Sequence, residues 1–72
     1  MKNIRSKVDL HGVKHEEVRF VLEEYLFWQK KDNVEIITGN SDRMRDLVID
    51  WLEHHNYDYL IEAHNTGCIK IL

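Results

Sequence analysis

Polar and apolar residues alternate with two different periods along this chain, and the switches between the periods mark its elements. Residues 7–11, Lys-Val-Asp-Leu-His, put Val8 and Leu10 on one face and Lys7, Asp9 and His11 on the other. A period of two predicts a half-buried strand. Gly12 punctuates it, and a helical period takes over from about residue 14 to 31. There Val18, Val21, Leu22, Tyr25 and Leu26 form one apolar stripe. Glu16 and Glu17 in its first turn, and Lys30 and Lys31 in its last, suit the helix dipole. Asp32-Asn33 ends it. Residues 34–38, Val-Glu-Ile-Ile-Thr, are β-branched and predict a second strand. Gly39-Asn40-Ser41 turns the chain and supplies an N-cap. A second helix over about 42–55 carries the stripe Met44, Leu47, Val48, Trp51 and Leu52. Residues 58–63 predict a third strand, Asn65-Thr66-Gly67 a tight turn, and residues 68–72 a fourth strand.

Chirality turns this order into an architecture. A strand–helix–strand unit makes a parallel pair with a right-handed crossover, so the first two strands are parallel neighbours. The last two form an antiparallel hairpin. Val8, Leu10, Val34, Ile36, Ile69 and Ile71 share an apolar face, while Lys7, Asp9, His11, Glu35 and Lys70 share a polar one. Helices therefore cover one side only. The predicted fold is an α/β (α+β) two-layer sandwich, βαβαββ, with a four-stranded mixed sheet and two helices on one face. Residues 1–6 read as an N-terminal tail and 7–72 as the domain.

Composition narrows the setting. At 72 residues the chain is one domain, and its single cysteine, Cys68, rules out an internal disulfide. No apolar run approaches a membrane span, and the basic N-terminus lacks the apolar stretch of a signal peptide. The expected setting is the cytoplasm, with no membrane partner. Ten Lys and Arg against thirteen Asp and Glu give a net charge of −3. That argues against coating nucleic acid by bulk charge and leaves room for a local basic patch.

In sheets with parallel strands, ligands bind beyond the carboxyl ends of the strands. One such end carries Asp9-Leu10-His11-Gly12, the other Thr38-Gly39-Asn40-Ser41. The second opens into a helix N-terminus, which favours phosphate, and Arg43 and Arg45 follow at once. Gly39 permits close backbone approach. The same residues also fit a turn glycine, an N-cap serine and a solvated helix face. Asp9 and His11, two apart on a strand, would point from one face and could hold a water or a divalent ion against a phosphodiester. His11 would act as general base or acid and Asp9 would orient it, with Arg43, Arg45 or the helix N-terminus stabilising the developing charge. Against this stands a plainer reading, in which Asp9 fixes the Gly12 loop by hydrogen bonds and His11 lies on the surface.

Val8-Asp9-Leu10-His11-Gly12 before a helix resembles the opening motif of the Smr (small MutS-related) domain family, as a stand-alone small member. In that family an Asp-Leu-Arg/His-Gly signature ends the first strand and a His-Gly-x-Gly loop ends the second. The matching stretch here is Ile36-Ile37-Thr38-Gly39-Asn40-Ser41. Met44-Arg45 matches the family's helical Leu-Arg, and Gly67-Cys68-Ile69-Lys70-Ile71 is similar to its terminal Gly-rich strand. The resemblance spans residues 7–72. It implies a βαβαββ fold with the strands in the order first, second, fourth, third. It implies binding of DNA or RNA, and an endonuclease that cuts or nicks structured nucleic acid. By position it places Asp9 and His11 in the cleavage motif and Gly39 in the binding loop. Two departures stand out: Thr38 replaces the loop histidine and Ser41 its second glycine. The alternative is a nucleic-acid or protein-interaction module without nuclease activity. A divalent cation such as Mg²⁺ or Mn²⁺ is the expected cofactor if one is used.

The remaining candidates are weaker. His11 and His15 have i, i+4 spacing, but the strand-to-helix turn intervenes and two ligands do not complete a zinc site. No metal site is therefore assigned. His54 and His55 diverge around the helix and suit its C-terminal dipole. His64 is expected to be exposed. Cys68, with no basic partner in sequence, reads as a small packed residue rather than a nucleophile. Phe20 and Phe27, seven apart and opposite Val18, are flanked by Trp28. They pack on the neighbouring helix or form a surface for a protein partner or homodimer.

Overall fold

The computed structural model describes residues 6–28 and 33–72. Strand β1 runs over Ser6–Asp9 and β2 over Val34–Ile37; helix α2 spans Asp42–His54; β3 is Tyr59–Leu60 and β4 Cys68–Ile71. Between β1 and β2 lies the first helix, α1, at Val18–Glu23, preceded by a 3-10 turn at His15–Glu17 and continued by a π turn at Glu24–Trp28. The sheet order is β1-β2-β4-β3. β1 and β2 are parallel, while β4 is antiparallel to both β2 and β3. The predicted layers and strand order are those of the molecule.

The two apolar stripes close on the inner sheet face. Val18, Leu22 and Leu26 from the first helix and Met44, Val48 and Leu52 from α2 form one cluster with Val8, Leu10, Val34, Ile36 and Ile69. Register explains why the other sheet face is polar. Lys7 pairs with Glu35 and Glu35 with Lys70, so three charged side chains stand in a row. Cys68 shares that face and is nonetheless buried. Its thiol donates to Glu35 Oε1 at 2.8 Å. Burial, then the Glu35 carboxylate, push its pKa up to about 11, so it is no nucleophile at neutral pH.

Helix α2 begins where the sequence places it. Ser41 is the N-cap, and its Oγ accepts from the Met44 amide at 3.1 Å. The helix is closed by Asn56 in the left-handed region, φ 61°, with the Tyr57 amide reaching back to the Leu52 carbonyl at 2.9 Å.

Three expectations are corrected. The third strand, expected over 58–63, shrinks to Tyr59–Leu60. The chain then leaves the sheet edge for a loop over 61–67, so the predicted tight turn is a longer connection. Glu62 there pairs with the Lys70 ammonium and lies 3.5 Å from the His64 imidazole, which is exposed as expected. The first helix is not α-helical throughout. It ends in a π turn, and Phe27 on that turn packs on α2, the first of its two readings. Phe27 meets Trp51 at 5.5 Å, His55 at 5.1 Å and Tyr57 at 6.3 Å between ring centroids. Of the three residues expected to receive a partner, Phe20 and Trp28 remain the more exposed, at 56% and 77%. The Arg19 guanidinium lies over the Phe20 ring at 4.8 Å. The third correction concerns His11 and belongs to the site. The predicted tail, apart from Ser6, and the predicted helix end with Lys30, Lys31 and Asp32 lie outside the described residues.

Candidate functional site

The parallel register brings the two strand ends side by side. Asp9 pairs with Ile37, and the Leu10 amide donates to the Ile37 carbonyl at 2.9 Å. The loops that follow must therefore be neighbours. The first is a turn over Leu10–Val13, closed by the Val13 amide on the Leu10 carbonyl at 3.0 Å. Gly12 takes φ 83° within it, a conformation that suits glycine.

β1 ends at Asp9, so His11 lies on this turn and not on the strand. Burial alternates through the turn, with Val8 and Leu10 buried and Asp9 and His11 exposed, but strand geometry does not set the direction of the His11 side chain. Asp9 and His11 are linked differently. Asp9 Oδ1 accepts from the His11 amide at 2.9 Å, an Asx-type turn. The carboxylate thus shapes the loop that carries the imidazole, as the plainer reading held. Asp9, His11 and Gly12 are all exposed to solvent.

The second loop is held from behind. The Gly67 carbonyl accepts from the Thr38 amide at 2.8 Å and the Gly39 amide at 3.1 Å. Thr38 is buried, and its hydroxyl lies 3.4 Å from the Gly39 carbonyl. Gly39 takes φ 69°, but a Cβ there would meet nothing within 4 Å; the close backbone approach in this loop is that of Gly67 to the Gly39 peptide. Both amides are spent on this contact. A phosphate at this end would find the first-turn amides of α2 instead, at Asp42 and Arg43. Asn40 and Ser41 are exposed beside them.

The two arginines divide. Arg45 is half-buried and bonded within the chain: its guanidinium meets Asp42 Oδ1 at 2.6 Å and the Thr66 carbonyl at 3.3 Å. It ties α2 to the Gly67 loop. Arg43 is exposed and shares a basin with Gly12, Val13, Lys14, His15 and Glu16. Sequence reading left Lys14 and His15 out of the site. Their signal was position alone, directly after the glycine. Among the described residues no three His, Cys, Asp or Glu side chains converge as a metal-ligand set.

Two strand-end loops, one an Asp-Leu-His-Gly turn and one a glycine loop capping a helix, agree with a family-wide match. The model of the Smr domain family matches residues 8–68. The chain belongs to the Smr domain family. Smr domains are known for nucleic-acid binding and nuclease activity. No curated protein and no solved structure matches this chain. Among the described residues no helix of this Smr domain is long and apolar enough to cross a membrane.

Proposed function

We propose that this Smr domain binds DNA or RNA across the two strand-end loops and cleaves a phosphodiester at the Asp9–His11 turn. The observation that carries this reading is the parallel pairing of Asp9 with Ile37, which sets the signature turn beside the α2 N-terminus and Arg43. Neutral His11 imidazole takes the proton of the attacking hydroxyl, from water or from a 2′-OH of RNA. The new P–O bond forms as the bond to the leaving oxygen breaks, and that oxygen is protonated from solvent. Arg43 and Lys14 offset the charge on the phosphorane oxygens. Asp9 fixes the turn through one carboxylate oxygen. Any divalent ion held by the other would draw most of its ligands from water and substrate.

A second reading is favoured by specific contacts. The Thr38 and Gly39 amides are bound to Gly67, and Arg45 is bound to Asp42 and Thr66. A domain with those groups committed can bind nucleic acid without cutting it.

Cleavage of labelled supercoiled plasmid and of structured RNA separates the two, with Mg²⁺, Mn²⁺ or EDTA. Asn in place of Asp9 still accepts from the His11 amide, and His11→Ala leaves that amide in place, so both variants keep the turn. Cutting by wild type that Asp9→Asn and His11→Ala lose supports the nuclease. Binding with no cutting under any of these conditions selects the module.

A further inference from the structure

A groove of about 550 Å³ runs between the start of the first helix and the outer face of α2. Val18 and Arg19 form one wall, and Leu47, Asp50, Trp51 and His54 the other. The α2 residues are spaced i, i+3, i+4, i+7, so they make one stripe beside the buried one. The groove is continuous with the site. His15 and Glu16 line both the groove and the basin that holds Gly12 and Arg43. Leu47 and Asp50 also line the concavity that runs along α2 to Arg43.

We infer that this groove receives an unpaired nucleotide of the bound strand, with its base against Trp51. This rests on the nucleic-acid reading above and names the class of substrate that reading leaves open. Trp51 is held by Phe27, by Tyr57 at 5.8 Å and 13° between ring planes, and by His55 at 4.2 Å. A ring already fixed loses little freedom when a base stacks on it. Arg19 and the His15 and His54 imidazoles can meet a phosphate at the rim. Asp50 and Glu16 can accept from an exocyclic amino group, which favours adenine, cytosine and guanine over uracil and thymine. The same carboxylates, with Asp46, repel a phosphate backbone laid along α2. A duplex is therefore disfavoured there, and a single base pointing inward is not. A volume of about 550 Å³ suits one nucleotide.

The chain has two tryptophans, so Trp28→Phe leaves Trp51 as the only indole. Its fluorescence is followed while a blunt hairpin, the same hairpin with a three-nucleotide overhang, and adenosine or cytidine monophosphate are titrated. DNA and RNA overhangs are run in parallel and identify the strand type. The overhang should bind roughly tenfold more tightly than the blunt end and quench Trp51, since one stacked base is worth about 5- to 150-fold in affinity. Leu47→Gln, at a half-exposed position, replaces an apolar groove wall with an uncharged polar one and should reduce that advantage without changing blunt-end binding. Equal affinity for both hairpins with Trp51 unquenched overturns the inference and leaves the proposed function standing. Quenching by the free nucleotide with no overhang effect also overturns it, reassigning the groove to small ligands. No binding of either hairpin overturns both.

Discussion

Replacing Gly67 by alanine should cost this domain about half its stability, and the reason lies in one backbone contact. A Cβ at Gly67 would lie 2.8 Å from the Gly39 carbonyl oxygen, 3.1 Å from its carbon and 3.3 Å from its Cα. All three are backbone atoms, so no side chain can swing aside. The loop must move, and the hydrogen bonds from the Thr38 and Gly39 amides to the Gly67 carbonyl go with it. Each is worth about 1 kcal/mol, and an unsatisfied amide next to buried Thr38 adds about 1 kcal/mol more. The expected loss is about 2–3 kcal/mol. A scaffold of this size has only about 3–5 kcal/mol in total. With a urea dependence of about 1 kcal/mol per molar, the midpoint should fall by about 2–3 M, read by circular dichroism. Gly12→Ala is the control. Gly12 sits at φ 83° with nothing within 4 Å of its Cβ position, so it pays only the backbone strain of about 1–2 kcal/mol. Gly67 is not in the left-handed region. If Gly67→Ala proves no more destabilising than Gly12→Ala, the close approach is not what holds the loop.

The two arginines should separate cleanly by assay. Arg45→Ala should cost about 1 kcal/mol, a fall of about 4–8 °C in Tm, because it releases Asp42 and Thr66. Arg43→Ala should leave Tm unchanged and reduce the slope of log affinity against log salt by about 0.9 if that residue meets one phosphate. Ser41→Ala should lower stability by about 1 kcal/mol through the lost cap on Met44, measured by the same urea titration. Cys68 has a pH signature. Its native pKa of about 11 lies above the ordinary 9.0, so the native state keeps a proton that the unfolded state loses between those values. Stability from this source is complete below about pH 9 and falls as pH rises through the window. Wild type should therefore lose more stability than Cys68→Ala between pH 8 and pH 10.5; equal losses would show that the thiol is not held by Glu35 and burial.

Much of the site was legible because the signals are local. Asp9, His11 and Gly12 stand at a strand end, and Ser41 before a helical stripe reads as a cap whatever the rest of the chain does. What was not legible depended on residues distant in sequence. Arg43 and Arg45 lie about 200° apart on a helical wheel, on opposite flanks of the buried stripe; only Thr66, brought over by the 61–67 loop, decides that the Arg45 flank carries a bond to a distant part of the chain. The glycine loop looked open to phosphate because nothing near it in sequence reveals Gly67. β1 stops two residues before His11, since alternation carries no mark for where a strand ends; the Asp9 carboxylate accepts from the His11 amide just beyond that end.

The layered architecture is thus a property of the sequence itself. Two periods of hydrophobic spacing choose which side of each element is buried, and the right-handed crossover leaves one parallel pairing for β1 and β2. Family membership and the position of the signature turn are also local in origin. Tertiary structure alone decided the two-residue length of β3, the packing of Phe27 on α2, the Gly39–Gly67 contact, and the groove leading to Trp51. These depend on how two separately patterned surfaces meet, and periodicity describes each surface but not its partner.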